Sequence, residues 1–327
     1  MPPRSDLEAA AAFLAAPGDM LVLAHERPDG DALGAAFACL LARRANGLSA
    51  DVCLPGELPA KYLRLVPDGV KPVPETKPYA RVLCLDCGGA ARVANDPALQ
   101  AAVAGKPVLN IDHHPDNTNF GDLNLVVPTA SSTCEILLGV LRSLPGWRLP
   151  PPLLDALLVG ILTDTGGLRF DNSRPATFRA VADLVELGGD FHGVVKAMFS
   201  SKPPNLARFE ADVVLHQTRT ACGGRFAYFH MSQELLAAHG LRKKDTEGVI
   251  DAIRVIDGVE VVALIYQDNG RFRVSLRSDD PRYNVGSIAR SLGGGGHDMA
   301  AASYVDGAAD FPAAEAVVLK MVSELFA

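Results

Sequence analysis

Asn110-Ile111-Asp112-His113-His114 sets an acid and two adjacent imidazoles directly after the apolar run Pro107-Val108-Leu109. A buried strand ending there would deliver these side chains at its carboxyl end. Neighbours on an extended segment point to opposite faces, so His113 and His114 are expected to do different jobs. If His113 faces a pocket, His114 turns away unless the chain bends. Alone, Asp-His-His reads equally well as a surface loop with two solvated histidines. Three other stretches change that balance, because each is an apolar run ending in carboxylates. Met20 to Ala24 ends in His25-Glu26-Arg27-Pro28-Asp29-Gly30-Asp31, Arg81 to Leu85 in Asp86-Cys87-Gly88-Gly89, and Pro151 to Leu162 in Thr163-Asp164-Thr165-Gly166-Gly167.

Brought together, Asp29, Asp31, Asp86 and Asp164 would crowd four carboxylates into one pocket with His25 and His113. Like charges at such range cannot all stay ionised without a counter-charge. Two divalent cations supply four positive charges against the four negatives. Gly30 allows a tight turn that directs Asp29 and Asp31 inward, and Asp86, ending the central strand, could bridge two metals. Mixed imidazole and carboxylate donors suit Mn, Fe, Co or Zn better than calcium. Two such ions roughly 3.5–4 Å apart activate a water and clamp a phosphoryl group. The competing reading makes each acid a helix N-cap after a strand. It is respectable for any one of them and weak for all of them jointly.

The elements that must position these residues follow from the patterning. Ser5 to Ala16 is an amphipathic helix with Ser5 as its expected N-cap. Met20 to Ala24, Ala50 to Leu54, Arg81 to Leu85 and Pro107 to Ile111 are short apolar runs typical of strands buried on both faces. A helix is expected from about Ala32 to Arg44, stopped by Asn46-Gly47, and others from Ser131 toward Leu144, over Pro151 to Leu162 and over Leu184 to Phe199. Strands alternating with helices predict an α/β fold, a doubly wound and mainly parallel sheet with helices on both faces. In such sheets the site lies beyond the carboxyl ends of the strands, where His25, Asp29, Asp31, Asp86 and Asp112-His113-His114 fall, whereas Asp164 ends a helix.

Ser200-Ser201-Lys202-Pro203-Pro204-Asn205 is the clearest punctuation, and a linker is expected there. The expected organisation is a catalytic domain over 1–199, a linker over 200–213 and a smaller α/β domain with a mixed sheet over 214–327, with the site in the cleft between the two. In the second part, Val259 to Tyr266 and Arg271 to Arg277 read as strands joined through Asp268-Asn269-Gly270, a hairpin signal. Phe272, Val274 and Leu276 share one face of the second strand; Arg271, Arg273, Ser275 and Arg277 share the other. A solvated edge explains that arginine face too. The run Gly293-Gly294-Gly295-Gly296-His297 lets backbone N–H groups approach an anion, although a flexible loop is commoner.

Composition sets the outer limits. The 327 residues are 48% hydrophobic, with formal net charge -7 and a pI near 5.6, so no global basic field exists to grip long nucleic acid. No secretory signal pattern and no membrane-length apolar run is present, which predicts a cytoplasmic protein without a membrane partner. Cys39, Cys53, Cys84, Cys87, Cys134 and Cys222 lie mostly within apolar runs and read as reduced residues. Cys84 and Cys87 have C-x-x-C spacing, but without a second pair they read as strand core.

The motif set His25-x-x-x-Asp29-x-Asp31, Asp86, Asp112-His113-His114 and Thr163-Asp164-Thr165 resembles the DHH phosphoesterase superfamily, which includes RecJ-type nucleases. Gly293-Gly294-Gly295-Gly296-His297 followed by Ala300-Ala301-Ala302, with Arg277-Ser278 and Asp245-Thr246-Glu247-Gly248, resembles the first type of DHH-associated domain. The resemblance spans nearly the whole chain in the family's motif order. It is nearest to the short nanoRNase and pAp phosphatase branch, which also includes cyclic-di-AMP phosphodiesterases. The resemblance implies that His25, Asp29 and Asp86 hold one manganese ion and that Asp31, Asp86, His113 and Asp164 hold another. It implies a catalytic centre of Asp31, Asp86 and His114, with His114 near the scissile phosphate. It further implies that Arg277, Ser278, Gly294, Gly295, Gly296 and His297 recognise the substrate's other phosphate or nucleotide. One departure is visible: Ser303 stands where the family commonly has a glycine.

The expected activity is therefore manganese-dependent hydrolysis of short RNA or DNA oligonucleotides from an end, of pAp, or of linear or cyclic dinucleotides including cyclic-di-AMP. Metal-bound water would attack phosphorus. An inorganic pyrophosphatase uses a related N-terminal motif set, but the glycine-histidine run argues against it. A nucleotide-sensing binding module would be favoured by loss of a metal ligand, and none is lost. A homodimer is compatible with the sequence, which does not choose among the substrates.

Overall fold

The computed structural model describes residues 3–326 except 27, 55–57, 59, 69, 73–76, 93–96 and 247. Arg27 and Glu247, which entered the sequence reading, lie outside the described residues. The chain divides into two units, Met1–Ser201 and Lys202–Ala327.

In the first unit the elements run α1 (Arg4–Ala15), β1 (Met20–Leu23), α2 (Gly30–Ala45), β2 (Ala50–Cys53), β3 (Val70–Lys71), β4 (Arg81–Leu85), α3 (Pro97–Val103), β5 (Val108–Asp112), β6 (Leu123–Val126), α4 (Thr133–Arg142), α5 (Pro151–Asp164), α6 (Pro175–Glu186) and α7 (Phe191–Phe199). The strands form one sheet in the order β3-β2-β1-β4-β5-β6. Every pairing in it is parallel. The expected doubly wound sheet is thus present, and its strands are apolar because both faces are covered. Met20, Val22, Leu83, Leu85, Leu109 and Ile111 face a core shared with α1, α2, α4 and α5. Leu21, Leu23, Val82 and Cys84 face a smaller one with Leu99 of α3. None of the six cysteines is in a disulfide, and all but Cys222 are buried.

Three local expectations are corrected. The backbone N–H groups of Asp6 and Leu7 donate to the Pro3 carbonyl, so α1 begins before Ser5 and Ser5 is not its cap. The helix expected over Leu184 to Phe199 is two helices, because Gly188 adopts φ +103° and Asp190 caps α7 by accepting from Gly193 N at 2.9 Å. The stretch 200–213 is not an open linker: Pro204–Asp212 is helical, and Phe209 is fully buried in the second unit's core.

The second unit comprises α8 (Pro204–Asp212), β7 (Arg219–Ala221), β8 (Phe226–Met231), α9 (Gln233–Ala238), α10 (Asp251–Arg254), β9 (Val261–Asp268), β10 (Arg271–Ser278), α11 (Val285–Ser291), β11 (Gly295–His297), β12 (Ala300–Tyr304) and α12 (Phe311–Glu324). Its sheet is mixed, in the order β11-β12-β10-β9-β8-β7, with β8 and β9 parallel and the other pairs antiparallel. Asn269 and Gly270 both take positive φ, +50° and +78°, as the tight hairpin requires. Phe272, Val274 and Leu276 enter a core, leaving the arginine face of β10 half-buried or exposed. Among the described residues no helix is long and apolar enough to cross a membrane.

Helices α2 and α5 approach closely where side chains are absent. A Cβ added at Gly34 would lie 2.4 Å from the Ala156 carbonyl oxygen. These helices carry Asp31 and Asp164, so their spacing sets the site. Gly34→Ala should destabilise the first unit by about 1–3 kcal/mol through overpacking, read as a lower denaturant midpoint. An unchanged midpoint would show that the helices part freely there.

Candidate metal centre and active site

The strand order reverses direction between β1 and β4, so the loops after these two strands flank a crevice at the carboxyl edge of the sheet. His25, Asp29 and Asp31 follow β1, and Asp86 follows β4. Asp112, His113 and His114 come from the end of β5, and Asp164 from the last turn of α5. Asp86 has φ +55°, a left-handed conformation that turns the chain sharply at the strand end.

The Asp86 carboxylate is the centre of the group. Its Oδ2 lies 3.7 Å from His25 Nε2, and its Oδ1 lies 3.6 Å from both His113 Nε2 and His114 Nδ1. Three sets of donor atoms meet around it. His25, Asp29 and Asp86 form one that could hold a cation, Asp31, Asp86 and His113 a second, and Asp86, Asp112 and His114 a third. Asp164 joins the second, its Oδ2 being 3.4 Å from His113 Nε2. All six residues expected as metal ligands are therefore brought together.

The electrostatics show what this proximity demands. Burial pushes the Asp31 carboxyl well above its usual range, and the charges of Asp86 and Asp29 push it further. Burial, Asp31, Asp29 and Asp86 do the same to Asp164. Burial opposes ionisation of Asp86 too, but the nearby His25 ring and the charges of His114 and His113 hold it well below the carboxylate range. Burial lowers His113, favouring the neutral imidazole that a metal ion takes as a ligand. The pocket can carry Asp31 and Asp164 as protonated acids, or as carboxylates beside cations. Carboxylate oxygens and imidazole nitrogens, converging and mostly buried, fit divalent ions of the Mn, Fe, Co or Zn kind.

The outcome for the two adjacent histidines is different from a simple extended segment. The strand ends at Asp112, the chain bends, and the rings of His113 and His114 lie 4.8 Å apart edge to face. Both point to the Asp86 side. They still differ in surroundings: His114 Nδ1 lies 2.8 Å from Asp112 Oδ1, whereas His113 Nε2 faces oxygens of Asp31, Asp86 and Asp164 at 3.4–3.9 Å. Burial alone would lower His114, but the Asp112 hydrogen bond and the Asp86 charge push it up to about 10.

Sequence reasoning missed two contributors. Asp112, fully buried, accepts from Asn117 Nδ2 and holds His114. The motif's own leading acid was the signal. Thr133, at the start of α4, donates its backbone N–H to Asp31 Oδ2 at 2.6 Å and its hydroxyl to Asp86 Oδ1 at 3.1 Å. A Ser-Ser-Thr helix start carries no signal of that reach, since the contacts cross 102 and 47 residues of chain.

In the second unit, Arg277 pairs in register with Ala300, and Ala300 with His297. Directly opposed residues in antiparallel strands share a face, so the arginine and imidazole flank a single methyl group across about 10 Å. Ser278 is placed differently from expectation. It is buried, and its hydroxyl donates to the Asp280 carbonyl at 2.7 Å, which shapes the turn after β10. The glycine run is not a flexible loop, because Gly295 to His297 pair with β12 as a strand. Added Cβ atoms at Gly294 and Gly296 would lie 2.3 Å and 2.6 Å from the carbonyl oxygens of Ala302 and Ala300, so close strand packing demands these glycines.

The DHH family N-terminal domain matches residues 19–161, and the DHHA1 domain matches residues 215–324. The bifunctional oligoribonuclease and PAP phosphatase NrnA of Thermus thermophilus is 30% identical over 310 residues, covering 94% of this chain and 90% of the relative. The protein of that name in Bacillus subtilis is 23% identical over 283 residues, covering 86% and 87%. An exopolyphosphatase-related protein from Bacteroides fragilis has the same fold, with a TM-score of 0.85 at 19% identity over 98% of this chain and 96% of its own. With both domains matched and a relative aligned nearly end to end, the chain belongs to the DHH family of phosphoesterases.

Proposed function

We propose that this phosphoesterase hydrolyses short oligoribonucleotides and PAP at a site holding two divalent cations, manganese being the preferred ion, in the cytoplasm. The observation that supports this most directly is the Asp86 carboxylate, shared by the donor set of His25 and Asp29 and that of Asp31 and His113. His25, Asp29 and Asp86 would hold one ion; Asp31, Asp86, His113 and Asp164 would hold the other. Cations so placed supply an activated water and neutralise charge building on the phosphoryl oxygens.

The chain's own groups do the rest. Asp112 holds His114 through Nδ1, and the ring would act as a donor toward a phosphoryl or leaving-group oxygen. The Asp112 hydrogen bond favours the protonated ring. Arg277 and His297 would take the phosphate or nucleotide remote from the reacting bond, the gap over Ala300 leaving room between them. A guanidinium fork suits phosphate oxygens in a way an ammonium does not. Ser278 would act through the turn that carries Arg277. The names of the relatives supply the two substrate classes. Cyclic-di-AMP belongs in the same assay panel because it offers the same phosphodiester chemistry.

Three outcomes are expected. Chelated protein should be inactive on PAP and dinucleotides and regain activity with manganese; full turnover in excess chelator, with no metal found by elemental analysis, would overturn the site. Within that frame Asp86→Asn should lose more activity than Asp29→Asn, and the exposed Asp116→Asn should lose none. Asp112→Asn should lower kcat about 100-fold or more while leaving metal content intact, because it removes the partner that keeps His114 protonated; equal loss of bound metal would instead make Asp112 part of the metal site. Arg277→Lys should lower kcat/KM about tenfold or more on PAP and dinucleotides, the loss of a charge-assisted hydrogen bond. The same variant should barely change the slow hydrolysis of p-nitrophenyl phosphate, which lacks a second phosphate. Equal losses on both would place Arg277 in the chemistry itself.

A further inference from the structure

The two carboxylates that the cation-binding reading treats as most central are tied together by one residue that no motif contains. Thr133 is fully buried. Its backbone N–H reaches Asp31 Oδ2 at 2.6 Å, its hydroxyl reaches Asp86 Oδ1 at 3.1 Å, and the next N–H, of Cys134, reaches Asp31 Oδ1 at 3.0 Å. Both oxygens of Asp31 therefore meet the first N–H groups of α4, which carry partial positive charge. The histidines around Asp86 stand at 3.6–3.7 Å, so the Thr133 hydroxyl makes the shorter contact.

The helix can come this close because α5 gives way. An added Cβ at Gly160 would lie 2.2 Å from Cys134 Sγ and 2.7 Å from Asp31 Oδ1. The helix start is itself fixed by Ser132, whose hydroxyl accepts from Glu135 N at 3.1 Å, and by Glu135, whose Oε2 accepts from Ser131 N and Thr177 Oγ1. A rigid element thus presents Thr133 to the first turn of α2 and to the segment that follows β4.

We propose that Thr133 is a positioning residue for the dinuclear site. It would set the separation and orientation of Asp31 and Asp86, and through them the spacing of the two cations. Each carboxylate oxygen it contacts retains a second lone pair for a metal ion. Groups that orient metal ligands in this way typically change affinity 10–100-fold when removed.

This rests on the two-cation reading, so the experiment tests both. Manganese is titrated calorimetrically into metal-free wild type, Thr133→Val and Thr133→Ser, with stoichiometry checked by equilibrium dialysis. The exchange-coupled spin signal of the manganese pair is recorded alongside, and the melting temperature of each metal-free protein confirms folding. Wild type should bind two ions. Thr133→Val keeps the backbone bond to Asp31 but lacks the hydroxyl; it should weaken one of the two ions about tenfold or more and lose most of the coupled signal. Thr133→Ser restores the hydroxyl and should stay within about threefold of wild type. If Thr133→Val does not fold, Thr133→Ala is read in its place. Two ions bound as in wild type by the valine or alanine protein would overturn the proposal, as would a serine variant as impaired as valine. A wild type binding fewer than two ions would overturn the two-cation reading itself.

Discussion

The constraint on which the first unit depends is the confinement of Asp31, Asp86 and Asp164 around one imidazole. His113 Nε2 is within 3.4–3.9 Å of an oxygen from each. One ring cannot neutralise three carboxylates, and burial pushes this one toward its neutral form. Removing an ionised carboxylate from water is expensive unless a counter-charge is present. The pocket is consequently a device whose charge state must be completed from outside the chain, by protons or by cations. A site built for packing alone would have paired these acids with Arg or Lys. Arg43 shows the chain does bury a guanidinium where one is wanted, satisfied by the carbonyls of Ala16, Gly18 and Ser49.

The sheet topology delivers the acids at no further expense in specialised structure. In a parallel sheet every carboxyl end lies on one edge, so the segments after β1, β4 and β5 converge there, and the last turn of α5 brings Asp164 to them. The precise convergence then depends on helices packed tightly at Gly34 and Gly160, where any side chain would strike a neighbour. Backbone amides at the start of α4 complete the cage. Fixed dipoles hold the carboxylates without competing as full charges, so the demand for a mobile cation is left standing.

What was legible in the sequence follows from how local each cause is. Four strands of the first sheet were visible because full burial writes continuous apolar runs, whereas β3, only Val70–Lys71, is too short to write anything and β6, an edge strand that is mostly half-buried, writes no such run. The metal ligands were visible because each closes such a run. The N-cap reading proved correct for one of them without excluding the other: Asp29 Oδ1 accepts from Asp31 N and Ala32 N, and the same residue faces His25. Thr133 was invisible because its partners are distant in sequence. The two-helix break at Gly188 was missed because an apolar periodicity continues across it, while the decisive signal is a backbone angle. Gly293 to Gly296 misled in the other direction, since glycine marks close strand packing as readily as a loop.

That close packing also explains the departure at Ser303. Along β12, Ala300, Ala302 and Tyr304 share the face of Arg277, while Ala301 and Ser303 share the opposite one, Ser303 lying across from the core residue Val274. Its hydroxyl donates to the Leu292 carbonyl at 3.0 Å, and Gly294 accommodates it, an added Cβ there falling 2.6 Å from Ser303 Cβ. A side chain at this position fills space behind the sheet and ties down the turn leading into β11. It does not intrude between Arg277 and His297, where the alanine row is kept small.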